Sequence, residues 1–362
     1  MSTHAAVVTA SIGGPLEILQ VPTIPPTGDE VLVKVQWTAS TPLDLHQNDG
    51  GVVVTHYPQV LGDGSAGTVV EVGPDVKKLK VGDQVFGFTW RSQKEKGHQE
   101  YCTAPEYLFG KLPPNQTLQS AITLPNNFVT VFHTLTADLS LPLPWPKPAS
   151  YTPPSSTSQT PILIWGGSSS VGQFALQILK YYGYTNLLTT SSVAHHALLR
   201  EFGAISTFDY RSPDITSEIL SSVSGNIPLI FDCIGSKSGS LAPLSRIAKR
   251  GAKVAILLPV IVKDAGEGVR PVYGMDVNAE AKWEEGVEVR GVRTHFYLDN
   301  PLFKEKLQPE IMPTLLAEGI VKPNKIRIVE GKTLLERAQA AMDALRRKEV
   351  SGERLVWRVS EE

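Results

Sequence analysis

The segment ILIWGGSSSVGQFALQILKYYG, residues 162–183, carries the clearest structural signal in the chain. Its four leading apolar residues predict a buried strand, and Gly166-Gly167 predict a tight turn after it. Apolar residues then recur at helical spacing, which predicts an amphipathic helix; they are Val171, Phe174, Ala175, Ile178 and Leu179. We expect Gly172 to let that helix pack closely against the strand. A strand, a glycine turn and a helix in this order are the context of a dinucleotide-binding motif.

The turn itself departs from the usual GxGxxG pattern. The N-terminus of the helix that follows offers N–H groups and a positive dipole end, which suit a pyrophosphate. Serine hydroxyls in the turn add further donors. We therefore predict cofactor contacts from a run of six residues, Gly167, Ser168, Ser169, Ser170, Val171 and Gly172. The alternative is an ordinary strand-to-helix turn that binds no ligand.

Strands and helices alternate beyond this turn. Short apolar segments predict further strands, with helical patterns between most of them, at residues 185–190, 206–210, 228–234, 252–258 and 287–292. Such alternation predicts a parallel sheet covered by helices on both faces. We therefore predict an α/β fold in which a doubly wound Rossmann domain spans residues 126–299.

The N-terminal part is richer in β-structure. Short strands bounded by glycine turns, at residues 31–36, 67–73 and 81–88, predict a barrel-like domain over residues 1–125. We expect residues 300–362 to complete it with two helices, near 301–318 and 333–348, and a strand at 354–359. A helix over 118–139 is interrupted by Pro125. Residues 142–161 include seven prolines, so we expect a surface loop that forms neither a helix nor a central strand.

Composition limits the class of protein. The 362 residues carry a net charge of -2, and 19% of them are charged, so neither nucleic acid nor an anionic membrane is an expected partner. No apolar run approaches the ~20 residues of a membrane span. Cys102 and Cys233 form no CxxC pair, which excludes a zinc ribbon, and the N-terminus lacks the basic flank of a signal peptide. We expect a cytoplasmic protein.

The region after the second Rossmann strand favours NADPH over NADH. An NAD site usually has an acidic residue about 20 residues beyond the glycines, where it binds the ribose 2′-OH. No acidic residue lies between Tyr182 and Arg200. Neutral or basic donors stand there instead, with Tyr210 at the end of the third strand; they are Ser191, Ser192, His195 and His196. We therefore predict an acid-free pocket for a 2′-phosphate. The alternative is that these are solvated loop residues.

Four motifs give the chain a family resemblance. They are VLVKVQWTASTPLDLHQNDG (31–50), LGDGSAGTVVEVG (61–73), VGDQVFGF (81–88) and WGGSSSVG (165–172). Nearly end to end, the sequence resembles the medium-chain dehydrogenase/reductase superfamily, which implies a GroES-like catalytic domain together with the Rossmann domain. The Pro/Ser-rich insert and the segments FDYRSPDI and VSGERLVWRV resemble the fungal trans-acting enoyl reductases of the lovastatin-pathway type and similar toxin-cluster reductases.

The resemblance also shows where zinc ligands are missing. Zinc-dependent members have a ligating cysteine where this sequence has Thr41, and Gly-His-Glu where it has Gly62-Asp63-Gly64. Their four-cysteine structural-zinc loop has no counterpart here. Zinc needs three or four converging ligands. The remaining candidates for such ligands are His46, His56 and Asp63. We predict that the protein binds no metal. Oxidation of a simple alcohol depends on that metal, whereas reduction of an activated double bond does not.

The resemblance implies conjugate reduction of an α,β-unsaturated carbonyl by NADPH, with an enoyl group on a polyketide synthase carrier as one substrate. Beyond the glycine turn it implies cofactor contacts from Leu43, Asp44, Leu45, His46, Ser192, Val193, Ala194, His195, Tyr210, Leu257, Leu258, Gly352 and Glu353. It implies substrate contacts from Thr130, Val131, Phe132, His133, Thr134, Leu135, Thr136, Ala137, Thr294, His295, Phe296, Tyr297 and Leu298. We take Thr130 as the catalytic candidate because a hydroxyl in an apolar helix needs a partner, and no side chain stands out as the proton donor.

Two other functions remain open. One is a quinone or small-enone reductase of the same fold, and the other is a non-catalytic NADPH-binding partner protein. A carrier-bound substrate would need a basic docking patch, for which the candidates are Lys94, Lys96, Arg246, Lys249 and Arg250. The strand at 287–292 either ends the sheet of a monomer or pairs across a homodimer.

Overall fold

A computed structural model describes residues 2–266 and 268–360 of the chain. Internal contacts divide the chain into two units. The first unit contains residues 1–129, 265–271 and 298–362, and the second contains residues 130–264 and 272–297.

Each segment predicted as a strand overlaps one, and the structure adds strands that the sequence patterns do not predict. In chain order they are β1 (Thr3–Thr9), β2 (Leu16–Pro22), β3 (Glu30–Ser40), β4 (Gln59–Val60), β5 (Gly64–Val72), β6 (Gln84–Phe88), β7 (Tyr101–Pro105), β8 (Phe109–Lys111), β9 (Ile162–Trp165), β10 (Leu187–Ser191), β11 (Ser206–Asp209), β12 (Leu229–Asp232), β13 (Lys253–Leu257), β14 (Val260–Lys263), β15 (Val272–Gly274), β16 (Glu288–Val292), β17 (Lys325–Ile328) and β18 (Glu353–Arg358).

The helices are short. They are α1 (Pro42–Gly50), α2 (Leu118–Ala121), α3 (Pro125–His133), α4 (Ser155–Ser158), α5 (Ser170–Tyr181), α6 (His196–Glu201), α7 (Ile215–Ser221), α8 (Ala242–Ile247), α9 (Val277–Glu280), α10 (Pro301–Lys306), α11 (Met312–Ala317) and α12 (Leu334–Arg346). Within the described residues, no helix is both long enough and apolar enough to cross a bilayer.

Strand β3 organises the first unit. Its alternating Val31, Val33 and Val35 are fully buried, because successive side chains of a strand point to opposite faces and one face covers the core. In the larger sheet the strand order is β17-β18-β3-β5-β6-β8, and β7 also pairs with β3. A smaller sheet has the order β2-β1-β4. The C-terminal strand β18 therefore lies directly against the N-terminal strand β3, with Leu355 opposite Ser40.

The second unit contains the predicted parallel sheet. In the described part of the chain, six strands pair in parallel in the order β11-β10-β9-β12-β13-β16. From β9 the next two strands of the chain, β10 and β11, extend the sheet in one direction. The later strands β12, β13 and β16 extend it in the other direction. Leu163, Ile230 and Val254 from three neighbouring strands are buried in one core cluster. This is the doubly wound α/β fold that the alternation of strands and helices predicts.

Two local details differ from the sequence predictions. Pro125 begins α3 instead of merely interrupting a helix, since proline fits the first turn, where its missing N–H costs nothing. Residues 142–161 form the predicted loop except for the single turn α4, which follows Pro154. The prediction that this segment contains no helix is therefore wrong by one turn. That turn starts directly after Pro154, and proline is tolerated at the start of a helix. A wider helical turn, Leu307–Ile311, joins α10 to α11.

Candidate functional site

The predicted cofactor residues of the second unit lie at one edge of its sheet. The register places Asp232 opposite both Trp165 and Ile256, so the carboxyl ends of β9, β12 and β13 are level. The sheet order reverses between β9 and β12, and open α/β sheets bind ligands at such a point. Residues 167–172 follow β9, 192–195 follow β10, Tyr210 follows β11, and 257–258 lie at the end of β13.

Glycine is required where α5 leaves β9. Gly166 has a φ of 83°, a left-handed conformation that residues with a side chain rarely adopt. A Cβ on Gly172 would lie 2.4 Å from the carbonyl oxygen of Gly166 and 2.6 Å from the Cα of Gly167. The helix therefore approaches the turn as closely as the sequence predicts. Its buried face includes Phe174 and Ile178, both fully buried.

The start of α5 offers donors suited to a pyrophosphate. Ser169 caps the helix, because its Oγ accepts the N–H of Gly172 at 3.0 Å, and the carbonyl of Ser168 accepts from the side chain of Gln173 at 2.9 Å. No group among the described residues accepts from the main-chain N–H of Ser168 or Val171. These two amides and the helix dipole fit a diphosphate, while the hydroxyl of Ser169 is used as a helix cap.

An acidic residue lies beside the predicted 2′-phosphate pocket. Asp209, the last residue of β11, is the register partner of Ser191 at the end of β10. The prediction of an acid-free pocket considered only the chain that follows β10, so it missed a carboxylate from the neighbouring strand. Arg211 neutralises that carboxylate in a two-pronged ion pair, with Nε to Oδ1 at 2.9 Å and Nη2 to Oδ2 at 2.8 Å.

The two halves of the predicted substrate site share a hydrogen bond. The hydroxyls of Thr130, in α3, and Thr294, after β16, lie 3.0 Å apart. Thr130 therefore finds the partner that its apolar surroundings require, and only 4% of its surface is exposed. Three other predicted substrate residues, Val131, Phe132 and Leu135, have no exposed surface. The last predicted residue, Leu298, belongs to the first unit, whereas residues 294–297 belong to the second.

Two buried carboxyl groups, those of Asp44 and Asp63, interact in the first unit. Asp44, in α1, accepts the main-chain N–H of Thr41 at 2.7 Å and that of Gly62 at 3.2 Å. Its two oxygens therefore link the start of α1 to the segment before β5. The side chain of Asp63 accepts a hydrogen bond from Asn126. The two aspartates are 2% and 4% exposed.

Burial controls the ionisation of this acid pair. It raises the pKa of Asp44 to about 6, and burial together with the charge of Asp44 raises the pKa of Asp63 to about 7. The positive charges of Arg354 and Lys96 oppose both shifts. Arg354 is 7% exposed and comes from β18, next to the predicted cofactor residues Gly352 and Glu353. Burial and the charge of Lys96 lower the pKa of His98 to about 3, so this histidine is neutral.

The remaining candidate metal ligands do not form a cluster. Within the described residues, no group of three or more His, Cys, Asp or Glu side chains is arranged to hold a metal ion. His56 instead hydrogen-bonds Thr55 and Gln93 near the surface.

The predicted cofactor residue Glu353 takes part in ion pairs. Its carboxylate lies 3.4 Å from Lys325 and 3.4 Å from Arg327.

The five candidate docking cations are distributed over both units, and three of them are paired with a glutamate. Lys94 and Lys96 belong to the first unit, and the others belong to the second. Lys94 pairs with Glu30. Lys249 lies 3.3 Å from Glu284, and Arg250 lies 3.5 Å from Glu285. Three of the five charges are therefore balanced by a neighbouring glutamate.

Known proteins resemble the chain over its whole length. The alcohol dehydrogenase GroES-like domain family matches residues 27–133. The trans-enoyl reductase himH of Aspergillus japonicus is 31% identical over 337 residues, which cover 91% of this chain and 90% of that protein. The trans-enoyl reductase fsa3 of a Fusarium species is 30% identical over 363 residues, which cover 96% of this chain and 98% of that protein.

Solved structures share the fold. The CurK enoyl reductase aligns with a TM-score of 0.75 at 17% identity and covers 98% of this chain and 99% of its own. A quinone oxidoreductase of Pseudomonas syringae aligns with a TM-score of 0.73 at 23% identity, with the same coverage of both chains. At these identities the alignments establish the two-unit architecture alone.

Replacing Gly172 tests the close approach of α5. Gly172→Ala should weaken NADPH binding at least about tenfold, because its Cβ would push the helix start away from backbone atoms of the turn. Gly239→Ala is the matched control, since its Cβ meets only the side chain of Ser236, at 3.1 Å or more. Fluorescence titration with NADPH measures both variants. Unchanged affinity in Gly172→Ala would contradict the packing argument.

Replacing Asp63 tests the buried acid pair. The folded-state pKa of about 7 exceeds the unfolded value near 4. The stabilisation that protonated Asp63 contributes to the folded state is therefore complete below about pH 4 and is lost as the pH rises towards 7. Asp63→Asn should gain stability relative to the wild type across this range, by up to about 4 kcal/mol for three pKa units.

Urea unfolding between pH 5 and 8 provides the measurement. Asp83→Asn is the control, because Lys111 at 2.8 Å holds the pKa of Asp83 below its usual value. Its stability should therefore run parallel to that of the wild type over this range. If the free energy of unfolding of Asp63→Asn instead changed with pH in parallel with that of the wild type, Asp63 would be ionised in the folded protein.

Proposed function

Because this chain belongs to the medium-chain dehydrogenase/reductase superfamily, among the relatives of the fungal trans-enoyl reductases, we propose that it is an NADPH-dependent reductase of activated C=C bonds. Its natural substrate in this proposal is an enoyl group carried by a polyketide synthase that acts with it in trans. One observation carries the proposal: nearly the whole chain aligns with himH, a named trans-enoyl reductase. The presence of Thr41 and Asp63 at the ligand positions supports chemistry that needs no Lewis acid.

The second unit fits a nicotinamide dinucleotide. The amides of Ser168 and Val171 would hold the pyrophosphate, and the close approach at Gly172 leaves room for it. Residues 192–195 and Tyr210 would surround the adenosine ribose, and residues 257–258 lie farther along the same sheet edge. When bound, the cofactor supplies a hydride for the β-carbon of the substrate.

The threonine pair would stabilise the negative charge that develops on the substrate carbonyl. When the Thr130 hydroxyl donates to Thr294, the Thr294 hydroxyl keeps its own proton and can donate it to an oxyanion. Thr130 is held by a helix and is almost completely buried, so it would hold the Thr294 hydroxyl in position before the substrate arrives. Because no side chain stands out as the proton donor, protonation of the α-carbon is assigned to water.

The charge pairing of the surface favours a second candidate, a reductase of free quinones or small enones. A carrier protein, which is acidic, would be attracted by unbalanced basic residues. Lys94, Lys249 and Arg250 are each paired with a glutamate. A small substrate that diffuses freely does not need such a docking surface.

Substrate assays separate these functions. We expect the purified protein to oxidise NADPH with a crotonyl thioester, and to oxidise no simple alcohol with NADP⁺; both reactions are followed at 340 nm. Faster turnover of a quinone than of any enoyl thioester would favour the second candidate. Tight NADPH binding without turnover of any acceptor would identify a non-catalytic binding protein, and alcohol oxidation with stoichiometric zinc would overturn the proposal.

The hydroxyl pair gives a second test. Thr130→Val should lower kcat about 10- to 100-fold with an unchanged Kd for NADPH, because it removes the hydroxyl that holds the Thr294 donor against the developing oxyanion. Thr294→Val should act through the same pair, so the double variant should lose little more than either single variant. Thr68→Val, on β5, is the control for loss of a hydrogen-bonded hydroxyl outside this pair. Additive losses would show that the two hydroxyls act separately.

A further inference from the structure

An exposed ion pair stands next to the position where the adenosine ribose of a dinucleotide would bind. Asp209 lies opposite Ser191, and Ser192 is the first residue after β10. Neighbouring strands are about 4.8 Å apart. A group at the end of β11 therefore reaches the same position as the acidic residue that usually follows the second strand of an NAD site.

The ion pair uses only one edge of the guanidinium. Arg211 donates to Asp209 through Nε, Nη2 and its main-chain N–H. Nη1 hydrogen-bonds no group within the described residues, and Nη2 keeps a second N–H. The Nη1–Nη2 edge is thus open, and this forked edge matches two oxygens of a phosphate. The guanidinium also lies 5.8 Å from the ring centroid of Tyr210, which limits its movement.

Asp209 is poorly placed to bind a ribose hydroxyl while the pair is intact. Its Oδ1 accepts two hydrogen bonds from Arg211, and its Oδ2 accepts a third. The negative charge that would repel a phosphate is balanced by the guanidinium at 2.8 Å. The pair thus removes the usual advantage of an acidic residue for NADH and leaves guanidinium N–H groups as donors in its place.

We propose that Arg211 binds the 2′-phosphate of NADPH through its Nη1–Nη2 edge, and that Asp209 is a positioning residue which holds the other edge. This inference rests on the proposed use of a nicotinamide dinucleotide. It assigns the choice between the two cofactors to β11, and not to the serines and histidines that follow β10. Arg211 therefore adds a contact to the predicted cofactor residues, next to Tyr210.

The exposed surface of the same strand provides a matched control. Arg200 is another exposed arginine, and its Nη2 donates to the hydroxyl of Thr207 at 2.7 Å. Thr207 is on β11, two residues before Asp209. Arg200→Ala therefore removes the same charge from the same region but leaves the Asp209–Arg211 pair intact.

Binding of NADPH, NADH, 2′,5′-ADP and 5′-AMP, measured by fluorescence and calorimetry, tests the inference. Arg211→Ala should weaken NADPH and 2′,5′-ADP about 10- to 100-fold, as expected for the loss of charge-assisted hydrogen bonds. Binding of 5′-AMP should not change. NADH should bind as well as before or better, because the oxygens of Asp209 become free to accept from its 2′-OH. Asp209→Asn should weaken NADPH about 2- to 5-fold, because the guanidinium is then less firmly held.

The outcomes distinguish this inference from the proposed function. A wild-type preference for NADPH that survives in Arg211→Ala, or is lost equally in Arg200→Ala, overturns the assignment to Arg211 alone. If the wild type binds neither dinucleotide, both proposals fail. If it binds NADPH through Arg211 but reduces no acceptor, the assignment holds and the enzymatic function fails.

Discussion

The close contact between α5 and the end of β9 is the constraint on which the nucleotide half of the molecule depends. A methyl group at Gly172 would collide with main-chain atoms of the turn, and Gly166 needs a left-handed conformation. Only this approach directs the first amides of α5 towards the edge of the sheet where the carboxyl ends of the other strands lie. The proposed cofactor contacts, including those at the end of β11, depend on a diphosphate that binds at this point.

The first unit accommodates two acidic side chains in its interior. The carboxyl group of Asp63 interacts with that of Asp44, and both residues are almost completely buried. The fold balances them with two cations and with hydrogen bonds from Asn126 and two main-chain amides. Breaking such a buried cluster by removing one cation would leave an uncompensated charge, which costs more than the complete cluster contributes. The groups that surround the two aspartates are therefore constrained structurally.

Local patterns predicted the fold well, and non-local pairings account for what they missed. The strand at Ile162–Trp165 and the apolar face of α5 are visible in sequence because each follows the period of its own element. Asp209 was missed because its proximity to Ser191 depends on the register between two strands. Arg354 acts on Asp63 from almost 300 positions away, and no spacing rule connects them. The glutamate that neutralises Lys94 is likewise distant in sequence.

The raised pKa of Asp63 also has a calorimetric consequence. Near pH 6 the folded protein holds a proton that the unfolded chain cannot keep, so heat denaturation delivers that proton to the solvent. The buffer takes up this proton and contributes its own heat of protonation. The apparent unfolding enthalpy should therefore differ between a phosphate buffer and an amine buffer of the same pH, and the difference counts the protons that the chain releases on unfolding, including the one from Asp63.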